Sequence, residues 1–186
     1  ARLSEFGQPG SVFYEHPPKP GYIPGVEAAT GSLGHGLPMA LGMAVAQRIQ
    51  GSVNRCYALL SDGECNEGSV WEAVMCASHY KLNNLVAIVD RNSMQNDGES
   101  KDVLQFNSIE DSWKSFGWDV KSIDGHNLRS LYNALKPSKK LNKPRVIIAN
   151  TVKGKGISFM ENVPSWHHGK LTKQTFTEAM KELNNA

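Results

Sequence analysis

Residues 61–92 read SDGECNEGSVWEAVMCASHYKLNNLVAIVDRN, and this stretch confines the chain to few folds. An apolar run over residues 56–60 ends in an Asp-Gly turn, Asp62-Gly63. A second apolar run, residues 85–89, ends in Asp90-Arg91-Asn92. A helical stretch, residues 67–81, separates the two. Strand, helix and strand of these lengths make a βαβ unit, whose strands are parallel. The clusters around Asp62 and Asn92 then leave neighbouring strands at the same carboxyl edge, where open α/β sheets bind ligands. Mg²⁺ takes one or two protein oxygens and completes its octahedron with phosphate and water. The residues alone therefore point to a metal bound to a phosphorylated ligand.

The remaining chain continues the alternation. Residues 7–25 contain Pro9, Pro17, Pro18, Pro20 and Pro24 and read as mostly extended loop. Residues 36–50 read as a small-residue helix. Residues 92–107 read as a polar loop. Residues 108–116 form a short helix with Ser108 as N-cap and Asp111 at its third position. Residues 118–123 and 145–151 read as strands, and residues 128–135 as a helix. Thr172 opens a terminal helix reaching Leu183. This pattern predicts an α/β fold: one domain over residues 1–186, with a mainly parallel sheet and helices on both faces.

Composition narrows the function. The 186 residues suffice for one sizeable core. The formal charge of +2 is nearly balanced, and basic residues are scattered apart from residues 136–143, so nucleic-acid binding is not expected. No apolar run approaches membrane-spanning length, and the opening ARLSEFGQPG does not read as a signal peptide. Cys56, Cys65 and Cys76 form no close-spaced pair and read as reduced thiols of a cytoplasmic protein.

The Asp-Gly turn, the Glu67-Gly68 at the helix start and the closing Asp90-x-Asn92 resemble a thiamine diphosphate motif. Around them, PGVEAATGSLGHGLPMALGMA (residues 24–44), TVKGKGISFMEN (residues 151–162) and WHHG (residues 166–169) are similar to segments of transketolases. The resemblance covers nearly all of the chain. It is closest to the N-terminal section of transketolases split into two polypeptides, and implies their thiamine diphosphate-binding (PP-domain) fold. The family's extreme N-terminal stretch, with further histidine motifs, has no counterpart here.

Asp62 and Asn92 are the metal-ligand candidates, and the resemblance adds the backbone carbonyl of Met94. An Asp-Gly is ordinarily just a turn; here the matching Asp90/Asn92 cluster favours the metal. Asp90 reads either as a ligand or as a support for one. Gly63 and Glu64 join Asp62 and Asn92 in the cofactor-binding set. Ser61 stands where the family has Gly. Gly31 and Leu33 are implied to offer backbone contacts to the cofactor's aminopyrimidine. His35 replaces a frequent Gln and reads as a structural or interface residue. Glu67 is either a carboxylate at a helix start, favourable to the dipole, or, by resemblance, part of a proton-linked carboxylate network. His16 matches a Gly-His-Pro histidine facing thiazolium and substrate, although Glu15 replaces the Gly. His167 or His168, with His168 favoured, matches a histidine contacting the diphosphate. Lys153 and Lys155 are either phosphate-attracting or solvated turn residues.

The implied function is that of a transferase subunit. With thiamine diphosphate and Mg²⁺ (or Ca²⁺ or Mn²⁺) it would move a two-carbon ketol unit from a ketose, commonly phosphorylated, to an aldose. The pyrimidine-binding domain with the activating glutamate is absent, which implies a separate partner chain and a heterotetramer of two copies of each. The alternatives are another thiamine diphosphate enzyme subunit, such as a deoxyxylulose-phosphate synthase-like one, or a non-catalytic cofactor-binding subunit.

Overall fold

Strand register brings the candidate residues to one edge. In the computed structural model, which describes residues 3–14, 16–137 and 142–185, Ser61 pairs with Asp90, Asp90 with Ala149, and Ala149 with Ile123. All four positions stand at the carboxyl ends of parallel strands, so the loops that follow leave side by side. In chain order the elements are α1 (Gly36–Ile49), β1 (Cys56–Ser61), α2 (Gly68–His79), β2 (Leu85–Arg91), β3 (Met94–Gln95), β4 (Gly98–Glu99), α3 (Ser100–Val103), α4 (Ile109–Ser115), β5 (Asp119–Asp124), α5 (Leu128–Leu135), β6 (Arg145–Asn150) and α6 (Lys173–Asn184). The main sheet has the order β1-β2-β6-β5 and is parallel throughout.

The two-residue period of the strands divides the core. Ala58, Leu60, Leu85, Ala87, Val89, Val146 and Ile148 face α1, α2 and α4 in one large cluster. Val86 and Ile147 point the other way, against Ala134 of α5. Each fully buried Val or Ile contributes about 1.5–3 kcal/mol relative to exposure. Helices thus lie on both faces, but coverage is unequal: Tyr57 and Leu59 of β1, which share the α5 face, remain exposed.

Helix starts follow local chemistry. Ser108 accepts a hydrogen bond from Asp111 N at the head of α4, as expected. Thr172 forms a capping box with Thr175 at the head of α6. Arg145, buried in the sheet, binds Asp119 and the last carbonyls of α5 at Ala134 and Lys136.

Three expectations need correction. The polar loop over residues 92–107 contains the β3–β4 hairpin and the turn of α3. Its residues lack helical or strand periodicity because they are held by hydrogen bonds to the neighbouring turn rather than by burial. Residues 7–25 are bends and turns, not mostly extended, with Gly7, Gly10, Gly21 and Gly25 at positive φ. Glu67 is not the first helical residue but the extended N-cap of α2 (φ −72°, ψ 130°), and its side chain makes no cap hydrogen bond. Glu15 and part of the basic run at residues 136–143 lie outside the described residues.

Candidate functional site

The turn after β1 and the turn after β2 are knitted together at Asp62. Its backbone N–H donates to the Asp90 carbonyl at 3.1 Å. Its Oδ1 accepts from Gly63 N at 3.0 Å, and its Oδ2 accepts from Ser93 N at 2.9 Å and Ser100 Oγ at 3.3 Å. Ser93 reaches Asp62 by adopting a left-handed backbone, φ 62°. Asn92 Oδ1 accepts from Met94 N at 3.0 Å. Beside them, Gln95 lies across Gly63 and its Nε2 donates to Asn66 Oδ1 at 3.0 Å. The far side of this turn is anchored to the core, since the half-buried Trp71 donates from Nε1 to the Cys65 carbonyl at 2.8 Å.

A second junction ties the glycine-rich segment to the head of α2. Glu64 Oε1 accepts from Gly34 N at 2.8 Å, and Ser69 Oγ donates to the Gly34 carbonyl at 2.8 Å. Gly34 has φ +81°, and a Cβ there would stand 2.7 Å from Glu67 Cβ. Gly31 (φ +145°) is likewise closely approached, by the His16 ring: an added Cβ would meet it at 2.8 Å. Leu33 is exposed between the two glycines. One continuous surface therefore joins His16, Gly31, Leu33, Glu64, Glu67, Asp62, Gly63, Asn92 and Met94. His35 is exposed and heads α1 without a side-chain cap.

The electrostatics of this edge suit a cation. Asp62 is 7 % exposed and Glu64 8 %. Among the described residues, the ion pairs are Arg91–Glu110, Lys101–Glu99, Lys114–Asp111, Arg145–Asp119 and Lys155–Glu161. None neutralises Asp62, Glu64 or Asp90. Burial, with the Asp90 charge adding to it, raises the Asp62 carboxyl above its ordinary value, against the bonds from Ser93, Gly63 and Ser100. Asp90 Oδ1 instead accepts a hydrogen bond from Thr151 Oγ1, at the end of β6. A divalent cation supplies the missing positive charge, and the oxygen donors are of the hard type that Mg²⁺ takes.

His167 and His168 stand apart from this cluster. Their rings meet edge to face, 4.8 Å between centroids. No hydrogen bond, ion pair or ring contact among the described residues joins either one to Asp62 or Asn92. Burial, then the charges of Lys153 and His168, hold His167 below its ordinary value. Lys155 pairs with Glu161 at 3.4 Å within its own loop. Sequence reading missed Ser93, Ser100, Gln95 and Thr151. Their only signal was position, directly after Asp90-x-Asn92 or after β6, because hydroxyls and amides in loops are common.

Known proteins match this arrangement. The transketolase thiamine diphosphate binding domain matches residues 1–184. One of the two apulose-4-phosphate transketolase subunits of Phocaeicola vulgatus is 41% identical over 179 residues, 96% of this chain and 63% of that protein. The SqwG subunit of the 6-deoxy-6-sulfo-D-fructose transketolase of a Clostridium species is 39% identical over 182 residues, 97% of this chain and 66% of that protein. The chain thus spans somewhat under two thirds of the length of these curated relatives. The crystal structure of transketolase from Campylobacter jejuni superposes with a TM-score of 0.87 at 31% identity, over 98% of this chain and 29% of that one. Fold, edge geometry and these matches agree that the chain belongs to the transketolase family, in its thiamine diphosphate-binding domain.

Proposed function

We propose that this chain is the cofactor-binding subunit of a two-chain, Mg²⁺-dependent transketolase. The observation that carries the reading is the buried, uncompensated carboxylate of Asp62 beside Asn92 at the carboxyl edge. Asp62, Asn92 and the Met94 carbonyl would hold the cation, and the cation would hold the diphosphate. Gly31 and Leu33 offer backbone toward the aminopyrimidine, with Gly63 and Glu64 completing the cofactor set. When bound, thiamine diphosphate supplies a carbon nucleophile at thiazolium C2 that carries a two-carbon ketol unit. Glu67 would hold and pass a proton within a carboxylate network, and His16 and His168 would face the substrate.

Relatives named as lettered subunits of a transketolase support a separate partner chain contributing the pyrimidine domain. The assembly we propose is a heterotetramer of two copies of each. Relatives named for a phosphorylated and a sulfonated sugar support an anionic ketose as donor and an aldose as acceptor. No described helix is long and apolar enough to cross a membrane, and the three free cysteines fit a cytoplasmic setting.

Calorimetric titration with thiamine diphosphate, with and without Mg²⁺ and partner chain, tests the proposal. Binding should require the metal and strengthen with the partner, and the reconstituted complex should transfer ketol units between sugars. Tight, metal-independent binding by the chain alone would refute the metal site. Metal-dependent binding without transfer would leave a non-catalytic cofactor-binding subunit.

A further inference from the structure

We propose that Ser100 is a positioning residue that aims Asp62 at the cation, leaving Oδ1 as the ligand oxygen; this rests on the metal site proposed above. An ionised carboxylate offers about two acceptor positions on each oxygen. On Oδ2 both are used, by Ser93 N at 2.9 Å and by Ser100 Oγ at 3.3 Å. On Oδ1 only one is used, by Gly63 N at 3.0 Å. Asn92 Oδ1 likewise accepts a single hydrogen bond, from Met94 N. One open lone pair therefore remains on each of the two candidate ligand oxygens, and the fixed end of Asp62 is the end Ser100 holds.

Packing does not hold that end. A cavity of about 290 Å³ opens beside it, lined by Asp62, Asn66, Ser93, Gln95 and Ser100 among others. Without the Ser100 hydroxyl, the carboxylate has room to turn toward the cavity and away from the cation. Ser100 is itself placed by its neighbours. Its backbone N–H donates to the Ser93 carbonyl at 2.9 Å, and it is the first residue of α3, where its hydroxyl has no capping duty. The β3–β4 hairpin thus carries a hydroxyl donor back from Ser100 to the turn after β1.

The test is Mn²⁺ titration of the full chain in the presence of thiamine diphosphate, with free Mn²⁺ read by electron paramagnetic resonance. Removing a group that orients a metal ligand lowers metal affinity about 10- to 100-fold, and Ser100→Ala is expected in that range. Ser100→Thr keeps the hydroxyl and should bind near the wild-type level. On an Asp62→Asn background, Ser100→Ala should add little further loss. Wild-type affinity in Ser100→Ala, or equal losses in Ser100→Ala and Ser100→Thr, would overturn the role of Ser100 while leaving the metal site standing. Absence of Mn²⁺ binding by the wild-type chain would overturn both. Should Ser100→Ala not fold, the equal-volume pair Ser100→Thr and Ser100→Val decides the matter: Thr must bind at least about tenfold tighter than Val.

Discussion

Gly34→Ala is the most demanding test of how the site is held. Gly34 sits at φ +81° between two reaching side chains: its N–H binds Glu64 and its carbonyl binds Ser69. A left-handed backbone costs an L-residue about 1–2 kcal/mol. The new Cβ would stand 2.5 Å from Ser69 Oγ, so the Ser69 hydrogen bond is lost, at about 0.5–1.5 kcal/mol. It would also stand 2.7 Å from Glu67 Cβ, and relieving such overpacking typically costs about 1–3 kcal/mol. The combined loss is about 3–6 kcal/mol, a large part of the roughly 5–15 kcal/mol of a whole domain. Gly42→Ala is the control. Gly42 lies inside α1 with nothing within 4 Å of an added Cβ, so alanine should stabilise by about 0.5–1 kcal/mol. Urea unfolding followed by the fluorescence of Trp71, Trp113 and Trp118, which lie in one aromatic cluster, measures both. A Gly34→Ala chain within about 1 kcal/mol of wild type would show that the glycine-rich segment is not clamped to α2.

Further expectations concern the acids. Asp62→Ala should abolish Mg²⁺-dependent retention of thiamine diphosphate while circular dichroism stays native; normal retention would remove Asp62 from the site. Glu67→Gln should slow deuterium exchange at the thiazolium C2 in the reconstituted complex while cofactor affinity changes much less, and unchanged exchange and turnover would leave Glu67 a helix-start carboxylate only. Glu182 accepts hydrogen bonds from Ser158 N and Oγ, which hold its carboxyl below the ordinary value. A group depressed on folding stabilises above its unfolded pKa, and that contribution fades as pH falls through the folded value. Glu182→Gln should therefore narrow the difference in urea midpoint between neutral pH and pH ~3, and an unchanged pH dependence would refute the anchoring of α6 through Ser158.

The sheet and its edge were legible in the sequence because burial imposes a period. Runs such as residues 85–89 and 145–151 read as buried strands, and the Asp-Gly and Asp-x-Asn turns at their ends were placed by chain order alone. Parallel pairing followed from the intervening helix, and register then made Ser61, Asp90 and Ala149 level. The caps at Ser108 and Thr172 were legible too, since a cap depends on residues three apart. Contacts between loops carry no such period. That Ser100 answers Asp62 across 38 residues, that Glu64 grips Gly34 across 30, and that Thr151 answers Asp90 across 61 depends on which loops the sheet sets side by side. The sequence by itself determined the chemical inventory of the carboxyl edge. Only the tertiary structure decided which oxygens are committed to hydrogen bonds and which keep a free lone pair, because lone-pair occupancy is set by donors arriving from distant parts of the chain.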